Sequence, residues 1–151
     1  MIVKILFTSS SGGHLEELLQ LSKLIDKESV IVTEGKPSIE PKFKKKYFVK
    51  QLNRKENHFF LSFILLSIHE FHILRIEKPD IIISTGALVT VPICIFAKLM
   101  RKKVIYIESF ARITTPSLTG KILYHFADLF VVQWKELLDV YPKAKYFGGI
   151  F

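Results

Sequence analysis

The chain has 151 residues, 49% of them hydrophobic, and its 22 Lys and Arg against 14 Asp and Glu give a formal charge of +8. That length is one domain's worth and buries enough surface to need no disulfide or metal staple, and the single cysteine, Cys94, excludes an internal disulfide or a cysteine zinc site. The basic balance favours anionic partners, whether nucleic acid, phosphorylated ligands or an acidic membrane surface, and the hydrophobic excess, with 13 phenylalanines, asks for a greasy core or for contact with a membrane or another protein.

Met1–Thr8 lacks a charged leader and a small-residue cleavage site, so a cytoplasmic protein is expected. No segment reaches the ~18 uninterrupted apolar residues of a transmembrane helix. Ile2–Thr8, apolar and bounded by a Ser/Gly cluster, reads as a buried parallel strand. A helix opens near Gly13, with Leu15, Leu18, Leu21 and Ile25 on one stripe and Glu16 and Glu17 in the first turn, where the helix dipole favours them. Val30–Thr33 is a second strand, Glu34–Lys46 a solvated loop and Tyr47–Leu52 a third strand. Phe59–Ile76 is a long apolar helix that Pro79 stops. Then follow strand Asp80–Ser84 with its exit turn Thr85–Gly86, helix Val91–Met100 and strand Lys103–Ile107. Helix Leu118–Ala127, strand Leu129–Gln133, helix Trp134–Tyr141 and an edge strand Lys145–Phe147 complete the chain. Strands alternating with helices specify a doubly wound parallel α/β sheet, and with no linker in sight residues 1–151 form one domain.

In such a sheet ligands bind beyond the carboxyl ends of the strands. Three loops fall there. In Thr8-Ser9-Ser10-Ser11-Gly12-Gly13-His14 the glycines let backbone amides approach a phosphate, and His14 can act as base or donor. A tight connection ending in a solvated histidine is the plainer reading of the same residues. Ser84-Thr85-Gly86-Ala87 offers a second close approach, or merely small residues packed in a turn. In the third loop Glu108 follows a buried strand directly, and Arg112 is spaced to grip a phosphate. Both are awkward beside so apolar a strand, which favours function. Ser117 and Thr119 are read first as caps of the next helix, which carries Lys121.

Lys42, Lys44, Lys45, Lys46, Lys50, Arg54 and Lys55 crowd one stretch, and Arg101, Lys102 and Lys103 form a second cluster. A solvated face is the ordinary meaning of a charge run. Yet Phe59, Phe60, Phe63, Ile64, Leu65 and Leu66 follow closely, and a polybasic loop before a greasy helix resembles an interfacial membrane anchor.

Ser-Ser-Gly-Gly-His, Ser-Thr-Gly-Ala with Val-Pro, Glu-Ser-Phe-Ala-Arg, Ser-Leu-Thr-Gly-Lys-Ile-Leu-Tyr, Ala-Asp and Val-Gln-Trp occur here in that order. Together they resemble the oligosaccharide and capsular-polysaccharide biosynthesis family, whose eukaryotic member is the membrane-anchor subunit of a UDP-GlcNAc transferase. The likeness runs from Ile2 to Phe151, and Glu108–Trp134 is its most specific part. It implies the Rossmann-like N-terminal half of a GT-B glycosyltransferase divided between two chains, with the UDP-sugar held mainly by the partner. The one-chain peptidoglycan transferase acting on lipid I has a similar Gly-Gly-His loop and a histidine–glutamate pair near Glu108; here Ile107 replaces that histidine.

The resemblance further implies that a polyprenyl-diphosphate-linked acceptor sits on Ser10, Ser11, Gly12 and Gly13, near Thr85 and Gly86. Arg112 or Lys121 counters its charge, Ser117 and Thr119 lie close by, and His14 or Glu108 is the base. The expected setting is capsular or exopolysaccharide synthesis at the cytoplasmic face of the plasma membrane, with peripheral attachment through Lys44, Lys45, Lys46, Phe59, Phe60 and Phe63. Neither a metal, a cofactor nor nucleic acid is expected. Two other readings stand beside it: a non-catalytic membrane scaffold that recruits and enhances the partner transferase, and a stand-alone nucleotide-binding protein.

Overall fold

The computed structural model describes residues 3–39 and 43–151. Seven parallel strands form one sheet in the order β3-β2-β1-β4-β5-β6-β7. They are β1 (Ile5–Ser9), β2 (Val30–Glu34), β3 (Lys45–Val49), β4 (Ile81–Gly86), β5 (Lys103–Ile107), β6 (Leu129–Val132) and β7 (Lys145–Tyr146). The helices are α1 (Gly13–Leu19), α2 (Phe59–Glu77), α3 (Val91–Leu99) and α4 (Leu118–Leu123). Strand order reverses between β1 and β4, which makes their carboxyl ends the topological switch point where α/β sheets open a crevice.

Side-chain alternation along the strands divides the core in two. Leu6, Val30, Val32, Ile82, Val104 and Phe130 pack beneath α2 and α3. Their neighbours Phe7, Ile31, Ile83, Ile107 and Val131 pack with Leu15 and Leu18 of α1. Glu34–Lys46 is less solvated than its composition suggests, because Ile39 and Phe43 are buried in this second core, with the Phe43 ring 5.6 Å from that of Phe7. Pro41 and Lys42 of that stretch lie outside the described residues.

Several boundaries shift for identifiable reasons. The third strand starts at Lys45 rather than Tyr47 because β3 takes its register from β2, Val30 opposite Lys45 and Glu34 opposite Val49. Lys44, Lys45 and Lys46 therefore enter and join an edge strand, where lysines discourage further pairing. Each has an internal partner: Lys44 pairs with Glu28, Lys45 with Glu77 at 2.8 Å, and Lys46 donates to the Ile39 carbonyl at 2.7 Å. The last expected helix is a 3₁₀ turn, Lys135–Leu138, anchored by buried Leu137, and α4 ends at Leu123 instead of Ala127.

Glu70 of α2 is fully buried and accepts a 3.0 Å bond from the Ile93 N–H at the start of α3, capping a second helix in place of a local side chain. Burial pushes its carboxyl well above the usual range. The rest of α2 runs the other way: Phe60 (81%), Leu61, Ile64, Leu65 and Ile68 (61%) are exposed, while Phe59 and Phe63 are half-buried and Leu66 is core. By length and composition alone α2 is able to cross a membrane.

Candidate functional site

The loops after β1, β3, β4 and β5, with the last residue of β2, enclose an open cleft of about 430 Å³ at the carboxyl edge of the sheet. His14, Glu34, Arg54, Arg112, Ser117 and Thr119 supply its polar wall, and Leu52, Leu88 and Val89 its apolar one.

His14 is held by a reciprocal clasp. Its Nδ1 lies 2.8 Å from the Thr85 carbonyl oxygen, and the Thr85 hydroxyl donates to the His14 carbonyl at 2.6 Å. A carbonyl only accepts, so Nδ1 carries the proton, which leaves Nε2 as the position that exchanges a proton with a ligand. Gly86 makes the clasp possible. It sits at φ 113°, and a Cβ there would lie 3.2 Å from the Tyr106 hydroxyl and 3.3 Å from His14 Cε1. Gly12 turns the chain at φ 75° into α1, its carbonyl accepting from Leu15 and Glu16, and both Gly12 and Gly13 are exposed with open space around them. Ser10 is buried beneath this turn and Ser11 half-buried.

Glu108 shares the carboxyl edge with His14, but its side chain turns inward and is fully buried. It accepts hydrogen bonds from the Ser109 N–H (3.0 Å), the Ser117 N–H (3.1 Å) and hydroxyl (2.8 Å), Tyr106 (3.3 Å) and Tyr141 (3.0 Å). Burial first, and then the Glu108 charge, push both phenols up and keep them donors. Ser117 caps α4 by accepting from the Gly120 N–H at 2.8 Å while donating to Glu108, so the carboxylate fixes the start of that helix. Gly120 packs so closely that a Cβ would fall 2.0 Å from Glu108 Oε2. Lys121 is exposed on α4 and outside the cleft lining.

Three contributors escape a sequence reading. Glu34, at the end of β2, is the cleft's carboxylate. It is nearly buried, and burial pushes its pKa up against the Leu52 and Ser11 amides and nearby His14. The signal was present, since Glu34 ends an apolar strand just as Glu108 follows one. Glu17 reads in the sequence only as a first-turn acid favoured by the helix dipole. It is buried, accepting from the Ser109 hydroxyl and Phe110 N–H at 3.0 Å each, and thereby ties α1 to the loop after β5. Arg54 comes from the basic stretch and lines the cleft together with Arg112. Among the described residues neither arginine has a carboxylate at ion-pair distance. Two unpaired guanidiniums are suited to an anionic ligand such as a diphosphate. Also among the described residues, no group of three or more His, Cys, Asp or Glu is arranged to hold a metal.

Fold and cleft together define a Rossmann-like α/β domain of the kind that forms the N-terminal half of a GT-B protein. Solved structures agree on the fold. A UDP co-structure of S. aureus MnaA superposes with a TM-score of 0.72 at 16% identity, covering 99% of this chain and 44% of that one. MurG of Acinetobacter baumannii gives 0.67 at 14%, covering 87% and 41%. The chain thus spans less than half of either, and at such identities the likeness shows the fold alone.

Sequence comparison is more specific. The family described as "Oligosaccharide biosynthesis protein Alg14 like" matches residues 55–150. The UDP-N-acetylglucosamine transferase subunit ALG14 of Mus musculus is 32% identical, covering 98% of this chain and 83% of the relative. Its Homo sapiens counterpart is 30% identical with the same coverage. The chain belongs to the Alg14-like oligosaccharide biosynthesis family.

Proposed function

We propose that this chain is the acceptor-binding, membrane-associating subunit of a two-chain glycosyltransferase. It serves transfer from a UDP-sugar to a polyprenyl-diphosphate-linked saccharide at the cytoplasmic face of the plasma membrane, attached peripherally. The observation that carries this reading is the cleft: a histidine oriented through Nδ1, beside two arginines with no carboxylate partner among the described residues, in a pocket open to solvent. The partner chain supplies the opposite wall and the UDP-sugar. Membership of a family whose relatives are named transferase subunits supports that division, and UDP-N-acetylglucosamine is the first donor to test. The capsular or exopolysaccharide setting rests on the sequence resemblance alone.

In this mechanism Arg112 and Arg54 hold the acceptor's diphosphate, with the exposed Ser11–Gly13 turn beneath it. The acceptor hydroxyl gives its proton to His14 Nε2 as its oxygen attacks the anomeric carbon. The bond to UDP breaks, UDP leaves with the electron pair, and configuration inverts. Thr85 holds the imidazolium by the same Nδ1–H bond, and Glu34 offers it a neighbouring carboxylate. Glu108 acts through Ser117 as a positioning residue. Attachment to the bilayer uses the exposed face of α2, whose Leu65 and His69 share a small groove with Lys50.

His14→Ala and His14→Gln test the base. In the assembled pair, turnover should fall by ~10²–10⁴ while the two chains still co-purify. Unchanged turnover in an intact complex would contradict the catalytic role and favour the non-catalytic scaffold.

A further inference from the structure

α2 and α3 both end at the amino-terminal edge of the sheet, opposite the cleft, and each ends on a basic residue in the left-handed conformation: Lys78 at φ 47° and Arg101 at φ 61°. Glycine is the usual occupant of such positions because it avoids the Cβ penalty. Between the two helix ends runs an open groove of about 1020 Å³, with Phe71, Ile76 and Met100 as its apolar floor and His72, Arg75, Lys78 and Lys102 around it.

The charges here differ from others on the same edge. Lys98 and Lys103 pair with Asp128, and Lys4 and Lys45 with Glu77. Arg75, Lys78 and Lys102 have no carboxylate at ion-pair distance among the described residues. Cations at a helix C-terminus offset its dipole, yet that accounts neither for the apolar floor nor for Lys78 where glycine fits best. The groove also continues the apolar face of α2, exposed from Phe60 to Ile76. Fixed cations above an apolar strip match a phosphate above hydrocarbon.

We propose that this groove binds the headgroup phosphate of an anionic phospholipid. Arg75, Lys78 and Lys102 hold the phosphate, and the upper part of the acyl chains lies along Phe71, Ile76 and Met100. α2 then rests flat on the bilayer, its apolar face down and this groove at one end. The assignment rests on the membrane reading above and makes it specific: the cations that select an anionic lipid are these, and not Lys44, Lys45 and Lys46, whose side chains already have partners.

The test is co-sedimentation of the full chain with phosphatidylcholine vesicles and with vesicles of equal parts phosphatidylcholine and phosphatidylglycerol. A basic residue near an anionic surface contributes roughly a fivefold factor in partitioning. The variant Arg75→Gln/Lys78→Gln/Lys102→Gln should therefore bind the anionic vesicles about a hundredfold more weakly. A control of equal charge, Lys23→Gln/Lys27→Gln/Lys143→Gln, should lose far less. Circular dichroism should be unchanged in both, since the altered side chains are on the surface. Equal losses in the two variants, or none, would overturn the groove while leaving membrane binding in place. Failure of the unaltered chain to sediment with either vesicle would overturn the membrane reading and the groove with it.

Discussion

Glu34 and Glu108 stand at equivalent places, each at the carboxyl end of a buried strand, and their surroundings assign them different work. Glu108 is enclosed by five hydrogen-bonding groups and lies outside the cleft lining, whereas Glu34 faces the cleft with His14. Glu108→Gln should therefore act on the fold, because its amide would turn a donor toward the hydroxyls of Tyr106, Tyr141 and Ser117; a loss of roughly 2–4 kcal/mol is expected in denaturant titration. Glu34→Gln should leave the unfolding midpoint within about 1 kcal/mol and lower the turnover of the assembled pair at least tenfold. The opposite pattern, an unstable Glu34 variant and a stable, inactive Glu108 variant, would exchange the two roles. Sequence reasoning brought Glu108 forward because a carboxylate after an apolar strand is out of place. It had no means of seeing that Tyr106, Ser117 and Tyr141, up to 33 residues away, would converge on it. His14 with Thr85 shows the same limit: both residues were singled out, but their clasp joins positions 71 residues apart.

At the level of elements, strand and helix order was legible throughout, because hydrophobic periodicity and glycine–proline punctuation are local signals. The misses lie where tertiary contacts overrule them. β3 takes its register from β2, the last helix shrinks to a turn around Leu137, and α2 carries two glutamates that serve other elements. One of these, Glu77, gathers Lys4 at 2.6 Å, Lys45 at 2.8 Å and the Tyr47 hydroxyl, joining the end of α2 to β3 and the start of β1. Although burial opposes its charge, those donors hold its pKa down at about 2. An unfolded glutamate titrates near ~4.3. The depressed folded value means that the cluster's stabilisation is complete above that pH and is lost as pH falls toward 2, amounting to about 2–3 kcal/mol. Glu77→Gln should accordingly lower stability at neutral pH and flatten the acid limb between those values in thermal melts. An acid limb identical to that of the unaltered protein would contradict the assignment.

For the whole molecule, the two proposals fall at opposite ends of the sheet. The carboxyl edge carries the cleft, the amino edge carries the basic groove, and the exposed face of α2 spans the distance between them. The segment Glu108–Trp134, the most specific part of the family resemblance, is largely the framework of the cleft. Gln133 donates to the Glu108 carbonyl at 3.0 Å, and Trp134 Nε1 to the Phe110 carbonyl at 2.7 Å. On the proposed reading this framework shapes one wall, and the donor sugar is held by another chain. Reconstitution measures that division most directly: transfer from UDP-N-acetylglucosamine to a polyprenyl-diphosphate-linked sugar, assayed with this chain alone, its partner alone and the two mixed. The account predicts turnover only in the mixture, saturating at a fixed ratio of the two chains. Sustained transfer by this chain alone, purified to homogeneity, would contradict it.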